Sequence, residues 1–355
     1  MNKPLVSVVM PVYNREAFLA EAIESILAQT YTNFEFIIVD DGSTDNSVDI
    51  IQSYRDPRIR MIQLPGNLGE SQARNIGNMA AHGKYIAVMD SDDIAMPNRL
   101  KTQITYMQDR PEVGLCGCSV QWMDAGGELL RYAAAITEPI YCRANLVFGM
   151  PFHHPTWLVR KELFEQVSYR TEWWWAPDWD FMVEAAHVTV FGGICEALMK
   201  RREHPGRITR IKRKEQRDAT VRISHRVLGR IGVDWSQSQM EEWYAFGRDE
   251  HGIPKVGPEI YESLTALVRQ VLDANRKSGY MDQRALQNIL AHRWWPLCRD
   301  AAGQGMTIFH LYRKSPAKWL GWSCLAHEGR MLSLCLGIGR HFSLVYWLKK
   351  FRLHS

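Results

Sequence analysis

Long apolar runs are missing from this 355-residue sequence. No stretch reaches 18 uninterrupted apolar residues, so no membrane-spanning helix is expected. Cysteine is scarce and scattered: there are seven, an odd number, with no Cys-x-x-Cys pair. The pair Cys116-Gly-Cys118 lies inside a strand-like run. This pattern fits buried, reduced thiols of a cytosolic protein rather than a disulfide framework. Internal repeats and low-complexity tracts are absent. No signal peptide is expected either, since Met1 to Pro4 run straight into a strand-like segment. A large net charge is also lacking, at +4. What charge there is falls unevenly. Lys200 to Arg230 holds twelve Lys/Arg against three Asp/Glu, and Met306 to Ser355 holds eight against one. Phosphate-bearing substrates or a membrane surface, not nucleic acid, are the anionic partners expected.

The most informative stretch present is Tyr85-Ile-Ala-Val-Met-Asp90-Ser-Asp92-Asp93. An apolar run ends abruptly in three carboxylates. A buried strand would deliver them to its C-terminal tip, where open α/β sheets place ligands. Carboxylates this close repel one another unless a cation sits among them. Around it, strand-like and helix-like segments alternate. Strands are expected over Leu5 to Val12, Phe34 to Val39, Arg58 to Leu64, Tyr85 to Met89 and Val113 to Trp122. Helices are expected over Arg15 to Gln29, with Asn14 as cap, and over Asp45 to Tyr54 and Gly69 to His82. This order implies right-handed crossovers and a mostly parallel sheet flanked by helices. In such a sheet, Asp40-Asp41 and Asp90-Ser-Asp92-Asp93 both sit at strand C-termini, which lie on one edge, so the two acidic clusters converge. Beyond Arg210 the sequence is mainly helical, with breaks near Gly252-Ile-Pro254, Gly257-Pro258 and Ser315-Pro316. Two regions are therefore expected, 1–210 and 211–355.

Six blocks in order resemble glycosyltransferase family 2, the inverting transferases of the GT-A fold. They are Val6-Ser-Val-Val-Met-Pro-Val-Tyr-Asn14, Val39-Asp-Asp-Gly-Ser-Thr-Asp45, Asn67-Leu-Gly-Glu-Ser-Gln-Ala-Arg74-Asn75, Asp90-Ser-Asp92-Asp93, Ala-Pro-Asp178-Trp-Asp180 and Arg202-Glu-His204. The resemblance runs from about Leu5 to Thr209. It implies a nucleotide-sugar-dependent catalytic domain with a Rossmann-like sheet, followed by a helical region. It also implies a nucleotide-diphospho-sugar donor, with uridine the usual base.

By this resemblance, Pro11, Tyr13 and Asp41 line the base pocket, and Asp41 accepts a hydrogen bond from a ring N–H. Asp40 orients the turn, and Gly69 lets backbone approach the nucleotide. Arg74 falls near the base and phosphates. Asp90 and Asp92 match the Asp-x-Asp motif, with Asp92 on a Mg²⁺ or Mn²⁺ ion and Asp90 on the ribose or sugar. Asp178 matches the general base. Relatives commonly carry Glu-Asp there, and this chain has Pro177-Asp178. An Asp of ordinary pKa, near 3.9, is ionised at neutral pH without tuning. Arg202 and His204 match an Arg-x-His pair that meets the diphosphate and metal, although Arg201 is an equally placed candidate.

Several features admit two readings. His153 and His154 fit an acceptor-side or a structural role. Trp173, Trp174, Trp175 and Trp179 suit an acceptor platform or core packing equally. The segments Trp319 to Leu325 and Met331 to Trp347, with basic Lys349 to Arg352, fit either a membrane-interface helix or a helical cap. The Gln-x-x-Arg-Trp motif of processive synthases is missing, since Leu290 stands three residues before Arg293-Trp294. Transfer of one sugar to a saccharide or lipid-linked acceptor is therefore expected, in cell-surface polysaccharide or glycolipid assembly. The setting would be cytoplasmic or peripheral on the inner face of the plasma membrane. Two alternatives stay open. A sugar-phosphate nucleotidyltransferase needs a Gly-rich signature after the first strand, where this chain reads Pro11-Val-Tyr-Asn14. A non-catalytic sugar-binding scaffold does not need Asp92 and Asp178.

Overall fold

A computed structural model describes residues 4–173, 175–206, 212–247, 258–301 and 306–314. The expectations for Trp174, for residues 207–211 and for the C-terminal apolar and basic segments beyond Lys314 lie outside these. The chain divides into two compact units, Met1–Thr220 and Val221–Ser355.

The first unit is built on a nine-stranded sheet. Strand β1 (Val6–Val12) is buried along its whole length. It pairs in parallel with β2 (Phe34–Asp40) and with β4 (Tyr85–Val88), and β2 pairs in parallel with β3 (Ile59–Gln63). Both faces of β1 are covered, which explains why it reads as a continuous apolar run rather than an alternation. Val6, Val8, Met10 and Val12 pack on one face with Leu19, Ala22, Ile23 and Ile26 of helix α1 (Leu19–Leu27). Val9 packs on the other face with Ala73 of helix α3 (Glu70–Ala80). Helix α2 (Ser47–Ser53) follows β2.

The sheet is not parallel throughout. β5 (Ile94–Ala95), helix α4 (Arg99–Asp109), β6 (Val113–Met123), β7 (Leu129–Ala133) and helix α5 (Pro139–Asn145) follow, then β8 (Leu158–Arg160), helix α6 (Lys161–Gln166), helix α7 (Pro177–Ala185) and β9 (Val190–Arg202). β8 is antiparallel to both β4 and β6, β5 is antiparallel to β9, and β6 runs parallel to β9. The expected parallel sheet therefore describes the first half, and the whole is mixed. The reason is local: a tight turn over Asp124–Glu128 folds β7 back on β6 as an antiparallel hairpin, and β8 keeps the direction of β7, so it too runs against β6.

The first helix also starts later than Asn14 suggests. Asn14 takes a left-handed backbone, φ 51°, and its Oδ1 accepts from the Thr44 N–H at 2.8 Å. Its side chain ties two loops together instead of capping a helix, a role open to Asn because it tolerates this conformation.

The second unit is helical among its described residues. It comprises most of Arg213–Arg230 together with Gln237–Gly247, Pro258–Ser278, Gln283–Ala301 and Met306–Lys314. Trp235, Trp243, Phe246 and Trp294 form a chain of ring contacts 5.2–5.6 Å apart. No described helix is long and apolar enough to cross a membrane.

Candidate active site

The C-terminal tips of β1, β2 and β4 open onto one cleft of about 640 Å³, a size that suits a small-molecule ligand. Its first wall comes from backbone turns. Pro11, Tyr13, Asp41, Gly69 and Arg74 all line it. Asp41 is buried and holds this wall in shape: its Oδ1 accepts from the Leu68 N–H at 2.7 Å and its Oδ2 from the Gly69 N–H at 2.9 Å. Burial pushes the Asp41 carboxyl up, and these two backbone donors oppose that. Gly69 has φ 90°, which places the start of α3 against the cleft. Gly42 has φ 76°, and a Cβ there would stand 2.6 Å from the Gly66 carbonyl carbon. Asp40 is fully buried, does not line the cleft, and accepts from the Ser43 N–H at 3.2 Å.

Arg74 is 3% exposed and bridges two carboxylates, Glu70 at 2.8 Å and Asp90 at 2.5 Å. Glu70 was not among the sequence candidates, although its place four residues before Arg74 in a helix was a readable signal. Burial alone would raise Asp90, but the Arg74 and Arg201 guanidiniums stand beside it, and the net displacement is downward.

The floor of the cleft is the acidic turn after β4. Ligand atoms of Asp90, Asp92 and Asp93 lie within 4.8 Å of one another. Asp90 and Asp92 line the cleft, whereas Asp93 is 2% exposed and faces inward. Asp93 Oδ1 accepts from the Arg202 N–H at 2.9 Å, and its Oδ2 lies 3.3 Å from Arg201 Nε. Burial raises its pKa to about 7, against the pull of Arg201. Hard carboxylate oxygens in this number fit Mg²⁺ or Mn²⁺. Asp90 and Asp92 are the residues that would hold the ion from the cleft side. His204 Nε2 stands 2.9 Å from Asp92 Oδ2, so the ring braces this ligand from behind. The ring also packs on Phe18, with centroids 4.8 Å apart, and His204 does not line the cleft.

Arg202 does not reach the cleft. It was expected at the diphosphate, but it is 1% exposed and points away from the cleft. Its guanidinium donates to the Asp92 and Ala125 carbonyls at 3.1 and 2.8 Å and pairs with Glu21 at 2.8 Å. Neighbours on a strand face opposite sides, so Arg201 takes the other direction and lines the cleft. Arg201 lies over the Trp122 ring at 4.9 Å and meets His153 Nδ1 at 3.1 Å.

Asp178, the second residue of α7, closes the far side. Its Oδ1 accepts from the Trp179 N–H at 2.8 Å. The sequence expectation of an ordinary carboxylate does not hold. Burial, aided by the negative charges of Glu70 and Asp90, raises its pKa to about 6. Asp180 of the same block turns inward, fully buried, onto Arg170 at 2.8 and 2.5 Å. His154 lines the cleft with Nε2 at 2.8 Å from the Tyr169 hydroxyl, and burial together with Arg74 keeps the imidazole neutral. Its neighbour His153 faces Arg201 instead. Trp175, Lys212 and Gln216 also line the cleft; of these only Trp175 had been singled out.

Residues 7–168 match the family model of Glycosyl transferase family 2. An uncharacterised glycosyltransferase of Haemophilus influenzae is 30% identical over 283 residues, covering 74% of this chain and 87% of that one. The chain belongs to glycosyltransferase family 2. Two solved structures share its fold. Staphylococcus aureus TarS (residues 1–349, in complex with UDP) has TM-score 0.50 and 18% identity, covering 88% of each chain. The mannosyltransferase PcManGT of Pyrobaculum calidifontis, in complex with GDP-Man and Mn²⁺, has TM-score 0.50 and 17% identity, covering 91% of this chain and 88% of its own. At such identities the likeness shows the GT-A-like architecture alone. This family member is thus a glycosyltransferase with a mixed α/β sheet and a helical C-terminal region.

Proposed function

We propose that this glycosyltransferase moves one sugar from a nucleotide-diphospho-sugar to a hydroxyl acceptor with inversion, using Asp178 as general base. The observation that carries the reading is the placement of Asp178. A carboxylate raised to about 6 shares one cleft with the paired carboxylates Asp90 and Asp92. A base near this value is ionised at neutral pH yet basic enough to accept a proton as the acceptor oxygen attacks. A divalent ion, when bound, supplies positive charge to the departing diphosphate.

The chain's own residues divide the remaining work. Pro11, Tyr13 and the Asp41-anchored turn form the wall for the base and ribose. Arg74 and Arg201 bring positive charge to the same side as Asp90. Inversion follows from one base on the face opposite the leaving group. UDP is the leading donor nucleotide, supported by the family resemblance and by the UDP held in the TarS structure. GDP is the runner-up, supported by the GDP-Man complex. Mg²⁺ or Mn²⁺ is the ion, supported by the oxygen donor set and by the Mn²⁺ named for PcManGT. The setting, cell-surface polysaccharide or glycolipid assembly with residues 1–210 as the catalytic part, belongs to the same proposal and rests on the family resemblance.

Binding of UDP-, GDP-, dTDP- and CMP-sugars with and without Mn²⁺ tests it. One nucleotide class bound in a metal-dependent way supports the reading. Failure of every donor in the presence of metal overturns it.

A further inference from the structure

The wall of the cleft beyond Asp178 has no task in the chemistry above. Trp175 and Pro177 lead into α7 on this wall, and Lys212 and Gln216 stand on it too. The Gln216 N–H donates to the Lys212 carbonyl at 3.0 Å, so the two residues are one helical turn apart and their side chains project on the same side. Lys212 Nζ lies 5.5 Å from the centroid of the Trp175 ring, within cation–π reach.

The charges of the cleft are unequally committed. Arg74 is held by Glu70 and Asp90, both within 2.8 Å. Arg201 is held by Asp93 at 3.3 Å and by His153. Arg15 donates to the Tyr13 and Asn14 carbonyls. Lys212 has Glu215 at 3.4 Å, with both side chains nearly half exposed. A pair of this kind contributes little and exchanges readily with another anion. Among the described residues the cleft therefore presents one easily redirected ammonium group beside an indole, three residues in sequence from the group read as the base. The acceptor hydroxyl must reach that base, so this wall faces the acceptor.

We infer that Trp175 and Lys212 form an acceptor subsite for a saccharide carrying an anionic group, a carboxylate or a phosphate ester. The sugar ring lies against the indole and its anion meets the Lys212 ammonium, with the Gln216 amide within reach of a ring hydroxyl. The inference rests on the reading of the cleft as a glycosyl-transfer site.

The test uses the full chain saturated with UDP and Mn²⁺, or with GDP and Mn²⁺ where UDP does not bind. Methyl glucoside, methyl glucuronide and glucose 6-phosphate are then titrated by saturation-transfer NMR. At least one anionic sugar is expected to bind about five- to tenfold tighter than the neutral one, as befits a charge-assisted contact. Lys212→Met is expected to erase that preference while leaving nucleotide–Mn²⁺ affinity within about twofold, and Trp175→Ala to weaken all the sugars together. Whichever anionic sugar shows the gain separates carboxylate from phosphate. Equal binding of neutral and anionic sugars overturns the inference. So does a loss of nucleotide affinity in Lys212→Met, which would move this lysine to the donor phosphates. The nucleotide titration alone reports on the underlying reading: if neither nucleotide binds with metal, the glycosyl-transfer site itself fails.

Discussion

The two walls of the cleft are built by different means. The wall of Pro11, Tyr13, Asp41 and Gly69 is made of backbone turns at parallel strand ends, stitched by side-chain-to-backbone hydrogen bonds. Asp41 holds Leu68 and Gly69, Ser43 Oγ accepts from the Asn14 N–H, and Ser47 Oγ accepts from the Arg15 N–H. The opposite wall, from α7, β9 and the residues after it, is made of side chains whose direction depends on register and burial. The first wall is fixed before any ligand arrives. The second holds Asp178, whose charge can change, and Lys212, whose partner can.

This contrast predicts where substitutions act on rate and where on stability. The largest effect is expected at Asp178. Asp178→Asn should retain donor binding and lose about 10²–10⁴ in kcat, as removal of a general base does. Its effect on stability should have the opposite sign. The folded pKa of about 6 lies above the ordinary 3.8, so the folded state binds the proton more tightly than the unfolded chain. This group's stabilising contribution is complete below pH 3.8 and is lost as pH rises to about 6. Asn carries no such cost, and the variant should gain about 1–2 kcal/mol above pH 6, the full shift being discounted for the open side of the cleft. Chemical denaturation at pH 4 and pH 7.5 checks this. Full turnover in the variant would remove the base assignment.

Next in size is the comparison of adjacent arginines. Arg201→Ala should lower kcat/KM for the donor by about 10–100-fold, since a charge-assisted contact on a phosphate is worth roughly 1.5–3 kcal/mol, and should cost only about 1 kcal/mol of stability, because the buried Asp93 carboxyl it meets at 3.3 Å can take up a proton in its place. Arg202→Ala should do the reverse. It strands the carbonyls of Asp92 and Ala125, both bonded to this buried guanidinium, and should cost about 2–3 kcal/mol. Thermal melts and donor kinetics on both variants separate the walls' logic. Equal behaviour would show that strand alternation does not sort the two roles.

This pair also marks the limit of what could be read from residues alone. The strand-end acidic clusters, the turn at Asp-Asp-Gly-Ser and the helix opening at Gly69 were legible because turn chemistry and apolar runs fix backbone direction locally. Arg201 against Arg202 was not, because the choice depends on the register of β9 against β6, where Arg201 stands opposite Trp122. The resemblance implies that His204 meets the metal or the diphosphate, whereas its place behind Asp92 depends on Phe18 packing against the ring. A short strand after the loop at Phe152 was legible, but the reversed direction of β8 was not, because three residues carry too little pattern to reveal it. The perturbed carboxyl of Asp178 escaped because burial is a property of the fold and not of the motif.

A smaller effect sharpens the comparison from the first wall. Asp41→Asn keeps one carbonyl oxygen but replaces the other acceptor with a donor that would face either the Leu68 or the Gly69 N–H. One backbone N–H then meets a donor in place of its acceptor, and only that of Gly69 keeps another, Asn67 Oδ1 at 3.0 Å, so the cost is about 1–2 kcal/mol. The loop carrying Gly69 should loosen, and nucleotide affinity should fall by about tenfold while kcat at saturating donor changes little, because this wall binds and the other reacts. Hydrogen exchange at Leu68 and Gly69 with steady-state kinetics would check both halves. A fall in kcat with unchanged affinity would place Asp41 in the chemistry and dissolve the division between a binding wall and a reacting one.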